Sequence, residues 1–232
     1  MQKKIVGIIG GVGPAATAEL FSKVVSLTKA SCDSEHIHIL IDNNPAIPDR
    51  TRAIKEGTKA PVKPVVDAGK GLIQMGADFL AIPCVTAHSF YDEILSGLSV
   101  PLLNIVEETA EFCKNSGYKK VGILATSGTC GMHIFDKALA KKGIAAVYPN
   151  EADQKTVMHI IYDMVKAGKP AEKELLCHCL ESMKNQGVDA VILGCTELPL
   201  VLCQGDFGMK YIDVLEILAK AIIINAGYDY KE

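Results

Sequence analysis

Three observations predict an α/β protein made of two pseudo-symmetric, doubly wound parallel-sheet domains with the site between them. Short apolar runs alternate with amphipathic segments along the whole chain, the pattern of strands joined by crossover helices. The run Gly76-Ala77-Asp78-Phe79-Leu80-Ala81-Ile82-Pro83-Cys84 returns as Gly187-Val188-Asp189-Ala190-Val191-Ile192-Leu193-Gly194-Cys195. Glycine, aspartate and cysteine each recur 111 positions on (76 to 187, 78 to 189, 84 to 195), so one strand-helix unit reads as duplicated. Both copies end in a thiol outside the carboxyl end of a strand, where open α/β sheets bind ligands. The expected domains are residues 1–101 plus 212–232, carrying Cys84, and 102–211, carrying Cys195.

Taken in order, residues 5–9 form a continuous apolar run suited to a parallel strand covered on both faces. Gly10-Gly11-Val12-Gly13-Pro14 turns the chain, and Pro14 fits the first position of a helix. Leu20, Phe21, Val24 and Leu27 mark that helix's apolar face. Residues 36–41 read as a second strand, with Ile37, Ile39 and Ile41 alternating. Residues 42–51 are too polar and proline-bound for strand or helix, and form a loop at a strand's carboxyl end. A helix over 62–74 leads to the strand at 79–82. A second helix, from Thr86 to about Leu98, would favour the Cys84 thiolate at its N-terminus. Residues 101–104 form a short strand and the crossing into the second half.

There Val121-Gly122-Ile123-Leu124-Ala125 echoes Val6-Gly7-Ile8-Ile9-Gly10, and Thr126-Ser127-Gly128-Thr129 stands where the glycine turn stood. Backbone N–H groups and hydroxyls at such a helix start suit a carboxylate. A short strand at Val147, helices over 153–167 and 171–186, and a strand at 211–213 follow. A closing helix over 214–226 is expected to pack back on the first half.

A net charge of −3 argues against a nucleic-acid face, which needs clustered basic residues. No apolar run approaches the ~18 residues of a membrane span. Met1-Gln2-Lys3-Lys4 enters a strand without the apolar core of a signal peptide. Eight cysteines without a secretion signal point to free thiols in a reducing, cytoplasmic setting.

Other motifs weigh less. Gly11-x-Gly13-x-x-Ala16 matches a loose dinucleotide fingerprint, but Asp42 comes 31 positions after Gly11 where an acidic partner belongs ~20 on. A tight turn or a carboxylate contact is the better reading. Cys177-His178-Cys179 lacks zinc-ligand spacing and lies on an ordinary helix stripe, with Cys179 in the core, so no metal is expected. Cys32, Cys113, Cys130 and Cys203 read as packing residues, and His88 either relays a proton or satisfies a helix terminus. On a helical wheel Lys166 lies opposite Val157, Ile160, Ile161 and Met164, and so reads as solvated.

The stretches 10–17, 43–51, Pro83-Cys84-Val85-Thr86-Ala87-His88, 125–129, Val165-Lys166-Ala167-Gly168 and Gly194-Cys195-Thr196-Glu197, in that order, resemble the aspartate/glutamate racemase family, closest to the aspartate racemases. The resemblance spans almost the whole chain. It implies inversion at an amino acid's α-carbon without a cofactor, a small-molecule amino-acid partner and a homodimer. Cys84 and Cys195 match the two catalytic thiols, Arg50 the arginine that holds the side-chain carboxylate, and Lys166 a lysine near it. Gly11, Thr86, Thr126, Ser127, Thr129 and Thr196 fall in substrate-contacting stretches. The family's Cys-Asn-Thr is Cys84-Val85-Thr86 here, which makes Val85 a specificity position, since valine offers none of the amide's hydrogen bonds. The rival readings are a decarboxylase, a hydantoin-type racemase, a maleate-type isomerase and a non-catalytic amino-acid binder.

Overall fold

The computed structural model describes residues 3–231. Met1, Gln2 and Glu232, on which part of the N-terminal reading and the outer limits of the first domain rest, lie outside the described residues. The chain divides into two compact units, residues 1–105 with 215–232 and residues 106–214.

In the first unit, β1 (Val6–Gly10), β2 (Ile39–Asn43) and β3 (Phe79–Ala81) form a parallel sheet of order β2-β1-β3. β1 is buried throughout because it is the central strand. Helix α1 (Pro14–Leu27) opens on proline and buries Ala16, Thr17, Leu20 and Val24. Phe21, expected on the buried face, is 44% exposed. β2 starts at Ile39 rather than at residue 36, and as an edge strand it leaves Ile41 40% exposed. The segment 42–51 is not all loop. Asp42 and Asn43 pair with β1, and Arg50 and Thr51 open helix α2 (Arg50–Lys55). That helix forms because Asp49 caps it, its carboxylate accepting the Arg52 N–H at 2.7 Å, a cap worth about 1 kcal/mol. Helix α3 (Val62–Gln74) turns Val65, Ala68 and Leu72 to the core and leads to β3.

Beyond β3 the expected long helix is replaced by a 3₁₀ segment, Val85–Phe90, and a short α4 (Tyr91–Ser96). The Cys84 carbonyl already accepts the Ala87 N–H at 3.2 Å and the His88 ring at 2.9 Å, which favours the tighter helix. Residues 101–104 give one parallel bridge, Leu80 with Leu102, rather than a strand. Pro101 has no N–H to extend the pairing, though its carbonyl accepts the Leu80 N–H at 2.9 Å. Leu102 therefore extends the first sheet, and the boundary lies beyond 101.

The second unit begins with most of α5 (Ile105–Asn115) and builds a parallel sheet of order β5-β4-β6-β7. Its strands are β4 (Lys120–Leu124), β5 (Ala145–Val147), β6 (Ala190–Leu193) and β7 (Tyr211–Asp213). β7 pairs with β6 from Tyr211 to Asp213, so Ile212 and Asp213 belong to this sheet and not to the first domain. Helices α6 (Ser127–Gly131) and α7 (Asp136–Lys141) follow β4, and α8 (Glu151–His159) runs on into a π-helical turn, Ile160–Val165. The helix expected over 171–186 is a 3₁₀ turn, Lys173–Leu176, and α9 (Cys177–Asn185). From α10 (Val214–Asn225) the chain re-enters the first unit, where the Ala226 carbonyl accepts the Lys4 N–H at 3.1 Å.

The duplicated glycine and aspartate have a structural job. Gly76 and Gly187 leave α3 and α9 with φ of +104° and +70°, a region that favours glycine. Asp78 then donates its N–H to the Ile5 carbonyl at 2.9 Å and accepts the Ile5 N–H on its carboxylate at 2.7 Å. Asp189 does the same at β4, accepting from the N–H groups of Lys119 at 2.7 Å and Lys120 at 2.9 Å. Each aspartate latches the start of its own strand to the central strand. Among the described residues, no helix is long and apolar enough to cross a membrane.

Candidate active site

Cys84 leaves β3 through Ile82 and Pro83 and is buried, closing an apolar cluster with Ile9, Leu80, Ile82 and Phe90. Its backbone is extended (φ −153°, ψ 106°). What holds it is His88. A carbonyl can only accept, so the His88 Nδ1, 2.9 Å from the Cys84 oxygen, carries the hydrogen. The other ring nitrogen accepts the Ile105 N–H at 3.4 Å, and the ring stacks on Tyr91. Burial pushes the imidazole pKa down, against backbone hydrogen bonds at Cys84 and Leu103 that raise it. With its ring nitrogens engaged by the Cys84 carbonyl and the Ile105 N–H, His88 satisfies the start of this helical segment.

Cys195 leaves β6 after Gly194 and closes the corresponding cluster with Leu124, Leu193, Leu198 and Leu202. Gly194 suits this place, because a Cβ would press tightly on Phe135 at 3.0 Å and Ala125 at 3.2 Å. The Cys195 thiol donates to a carboxylate oxygen of Glu197 at 2.9 Å, and the Thr196 hydroxyl donates to the same oxygen at 3.3 Å. Glu197 is only 3% exposed, and its other oxygen is in a salt bridge with Lys166. Burial pushes the Cys195 thiol pKa well up, the Glu197 charge pushes it further, and Lys166 pulls part of the way back.

Glu197 escapes a reading based on cysteine spacing. The signal that finds it is a lone carboxylate inside an otherwise uncharged, largely apolar run from Ala190 to Leu202, because acids are almost never buried unless paired. Lys166 reads wrongly on a helical wheel because the helix is not regular. Its N–H bonds the Ile161 carbonyl five residues back at 3.0 Å. That π-turn adds a residue and re-aims everything after it. Lys166 therefore reaches Glu197, with its Nζ 5.7 Å from the Tyr162 ring centroid.

The remaining candidates fall on the same strand ends of their own units. Arg50 is buried at the first turn of α2, one guanidinium nitrogen donating to the carbonyls of Pro48 at 3.2 Å and Ile47 at 3.4 Å. Thr86 and Val85 are buried in the 3₁₀ segment after Cys84. Gly11 holds φ +82° and packs where a Cβ would lie 2.2 Å from Asn44 backbone. Its N–H is taken by the Thr17 hydroxyl at 3.1 Å, so the glycine turn is shaped by packing of the chain on itself. Thr126 caps α6, its hydroxyl accepting the Thr129 N–H at 3.2 Å and donating to the Thr129 hydroxyl at 3.3 Å. The Ser127 N–H goes to the Met158 sulfur at 3.0 Å and the Cys130 N–H to the Thr126 carbonyl at 3.0 Å. Three N–H groups of the expected carboxylate cradle thus have partners inside the protein.

The other cysteines divide by burial. Burial pushes the thiols of Cys113, Cys130 and Cys179 up to about 12, in keeping with packing residues. Cys32 and Cys203 are exposed and do not pack, contrary to expectation. In the Cys177-His178-Cys179 run the side chains diverge: Cys177 toward Glu181 at 3.6 Å, His178 to Asp153 at 2.7 Å, and Cys179 into the core.

Two parallel α/β units, each presenting a buried thiol at one strand end, define a class of thiol-bearing α/β enzymes. Residues 9–222 match the Asp/Glu/Hydantoin racemase family, and the chain belongs to that family. The enzyme type is racemase, independent of pyridoxal phosphate. The chain is 32% identical over 225 residues to the broad specificity amino-acid racemase RacX of Bacillus subtilis, covering 94% of this chain and 96% of that one. It superposes on the aspartate racemase of Picrophilus torridus with a TM-score of 0.86 at 33% identity, over 98% of this chain and 96% of that one. An aspartate racemase homologue from Pyrococcus horikoshii gives 0.80 at 29% identity, over 96% and 99%.

Proposed function

We propose that the protein inverts the α-carbon of an amino acid, with aspartate or glutamate as the first candidates, by proton transfer between Cys84 and Cys195. One thiolate removes the α-proton, and the electron pair it leaves spreads into the α-carboxylate. The other thiol delivers a proton to the opposite face and becomes the thiolate. The opposite enantiomer uses the reverse pair of roles. Two thiolates close together repel, so the pair holds one proton between them and titrates as a unit. The observation that carries this reading is the repeated placement of a buried cysteine at the carboxyl end of β3 and of β6. Arg50 is proposed to receive an acidic side chain through paired, charge-assisted hydrogen bonds. Thr86, Thr126, Ser127, Thr129 and Thr196 are proposed to line the α-carboxylate and amino group.

Incubation with an amino-acid panel in D₂O tests this directly. Optical inversion with deuterium entering at the α-carbon is the expected result; binding with the α-hydrogen retained would leave an amino-acid binder. The panel extends beyond acidic residues because the Bacillus subtilis relative is a broad specificity amino-acid racemase. A cytoplasmic homodimer completes the proposal. All eight cysteines are free thiols, and light scattering at twice the 24.8 kDa chain mass checks the assembly.

A further inference from the structure

Beyond the pair of thiols, the surroundings of Cys195 differ from those of Cys84 in a way that assigns them different starting roles. The Cys84 thiol makes no hydrogen bond among the described residues; its backbone carbonyl is what is held, by His88. The Cys195 thiol points its hydrogen at a carboxylate that is itself buried and pinned by a cation. Two titratable groups act on it: Glu197, two residues on, and Lys166, at the end of the π-helical turn. Glu197 is the nearer, and it can accept a proton-bearing thiol but would repel a thiolate.

We infer that Glu197, oriented by Lys166 and Thr196, keeps the proton on Cys195 in the resting protein, so that Cys84 abstracts first and Cys195 donates first. This deepens the racemase reading and rests on it. In the forward turn the Cys84 thiolate takes the α-proton, forming its S–H bond, while the C–H electron pair stays with the substrate and spreads into the α-carboxylate. The Cys195 S–H bond then breaks, its proton forms the new C–H bond, and Cys195 is left as a thiolate facing Glu197. That state is the less favourable of the two free forms, and it relaxes by losing the Cys84 proton to solvent and taking one up at Cys195. A racemisation has an equilibrium constant of one, so kcat/KM must be equal for the two enantiomers. The asymmetry therefore appears as unequal kcat and KM.

The test needs no substrate. The native protein is alkylated with iodoacetamide across a pH series, and the modification of each cysteine is followed by peptide mass spectrometry. The inflection of Cys195 should fall by roughly one pH unit or more in Glu197→Gln, the size expected for removing an adjacent charge. It should stay in place in Glu197→Asp and rise in Lys166→Met, while Cys84, which shares one proton with Cys195, should react more slowly in Glu197→Gln than in the native protein. A Cys195 inflection that is unmoved or raised in Glu197→Gln, or lowered in Lys166→Met, overturns the inference. In turnover, Glu197→Gln should bring the kcat values of the two enantiomers together. A wild-type protein that exchanges no α-proton would defeat the racemase reading, and the titration would still decide the role of Glu197.

Discussion

The ends of β3 and β6 are the same place twice, and they have been given different chemistry. Both strands follow a left-handed glycine and a latching aspartate, and both deliver a buried cysteine that closes an apolar cluster. After Cys84 the chain tightens into a 3₁₀ turn that spends the cysteine's carbonyl on His88. After Cys195 a carboxylate turns back onto the thiol itself and is locked by Lys166. The duplicated part is the scaffold that places sulfur; the part that differs sets which sulfur carries the proton. Backbone positions can be copied as a unit, whereas an ion pair drawn from residues 166 and 197 has to be built separately in each copy.

The strongest way to break the comparison is to remove either sulfur. Cys84→Ser and Cys195→Ser should each lower racemisation by at least ~1,000-fold, because a serine hydroxyl is far too weak an acid to exchange a proton in this role. Circular dichroism should show both variants folded, since the volume change is small. Substantial inversion by either folded variant would remove the two-base assignment. Next in size is Arg50→Lys. Lysine cannot reproduce a two-pronged contact with a carboxylate, and charge-assisted hydrogen bonds are worth ~1.5–3 kcal/mol each. Turnover of aspartate should drop roughly tenfold or more while that of alanine changes little; equal losses would show that Arg50 does not read the side chain.

How much of this was legible from residues alone follows from which rules held locally. The strand order along the chain could be read because apolar runs stop at glycine, proline or aspartate, and the sheet centres are continuous runs, as at residues 6–10 and 121–124. Both cysteines could be read because the repeat marks them. Lys166 could not, because periodicity assumes 3.6 residues per turn and the π-turn at Ile160–Val165 breaks that phase. The 3₁₀ segment after Cys84 is not legible, because nothing in the spacing announces that His88 will take the Cys84 carbonyl. Ile41 and Phe21 are apolar yet exposed, because hydrophobicity does not say which strand lies at the edge or how wide a helix's buried stripe is.

Val85 sharpens the comparison from the first unit's side. It is buried directly after Cys84, where the family pattern implied by the resemblance has asparagine. If its side chain borders the substrate, Val85→Asn returns a hydrogen-bonding amide and should raise kcat/KM for aspartate about tenfold, the worth of one recovered buried partner at ~1–3 kcal/mol. A stable variant with an unchanged or lower rate on both enantiomers would make Val85 a packing residue.

The smallest effect probes what the two halves share. Asp78 accepts one backbone N–H and Asp189 accepts two, so truncating Asp189 should cost more. Both latches are solvent-exposed, which puts each hydrogen bond near the low end of its range. Asp189→Ala should lose about 1–2 kcal/mol and Asp78→Ala about half of that, read from urea midpoints. The pH dependence has a definite sign. The N–H groups of Lys119 and Lys120 hold the Asp189 carboxyl below the usual carboxylate range, so the unfolded chain binds a proton there more readily than the folded one. The stabilisation is complete well above the unfolded value of ~3.9 and is lost progressively as pH falls below it and through the lower folded value. Wild type and Asp189→Ala should therefore converge in stability progressively as pH falls from about 5 through the folded value. A gap that stays constant over that range, or an Asp78→Ala loss as large as that of Asp189→Ala, would mean that the repeated aspartate is kept for something other than fastening its strand.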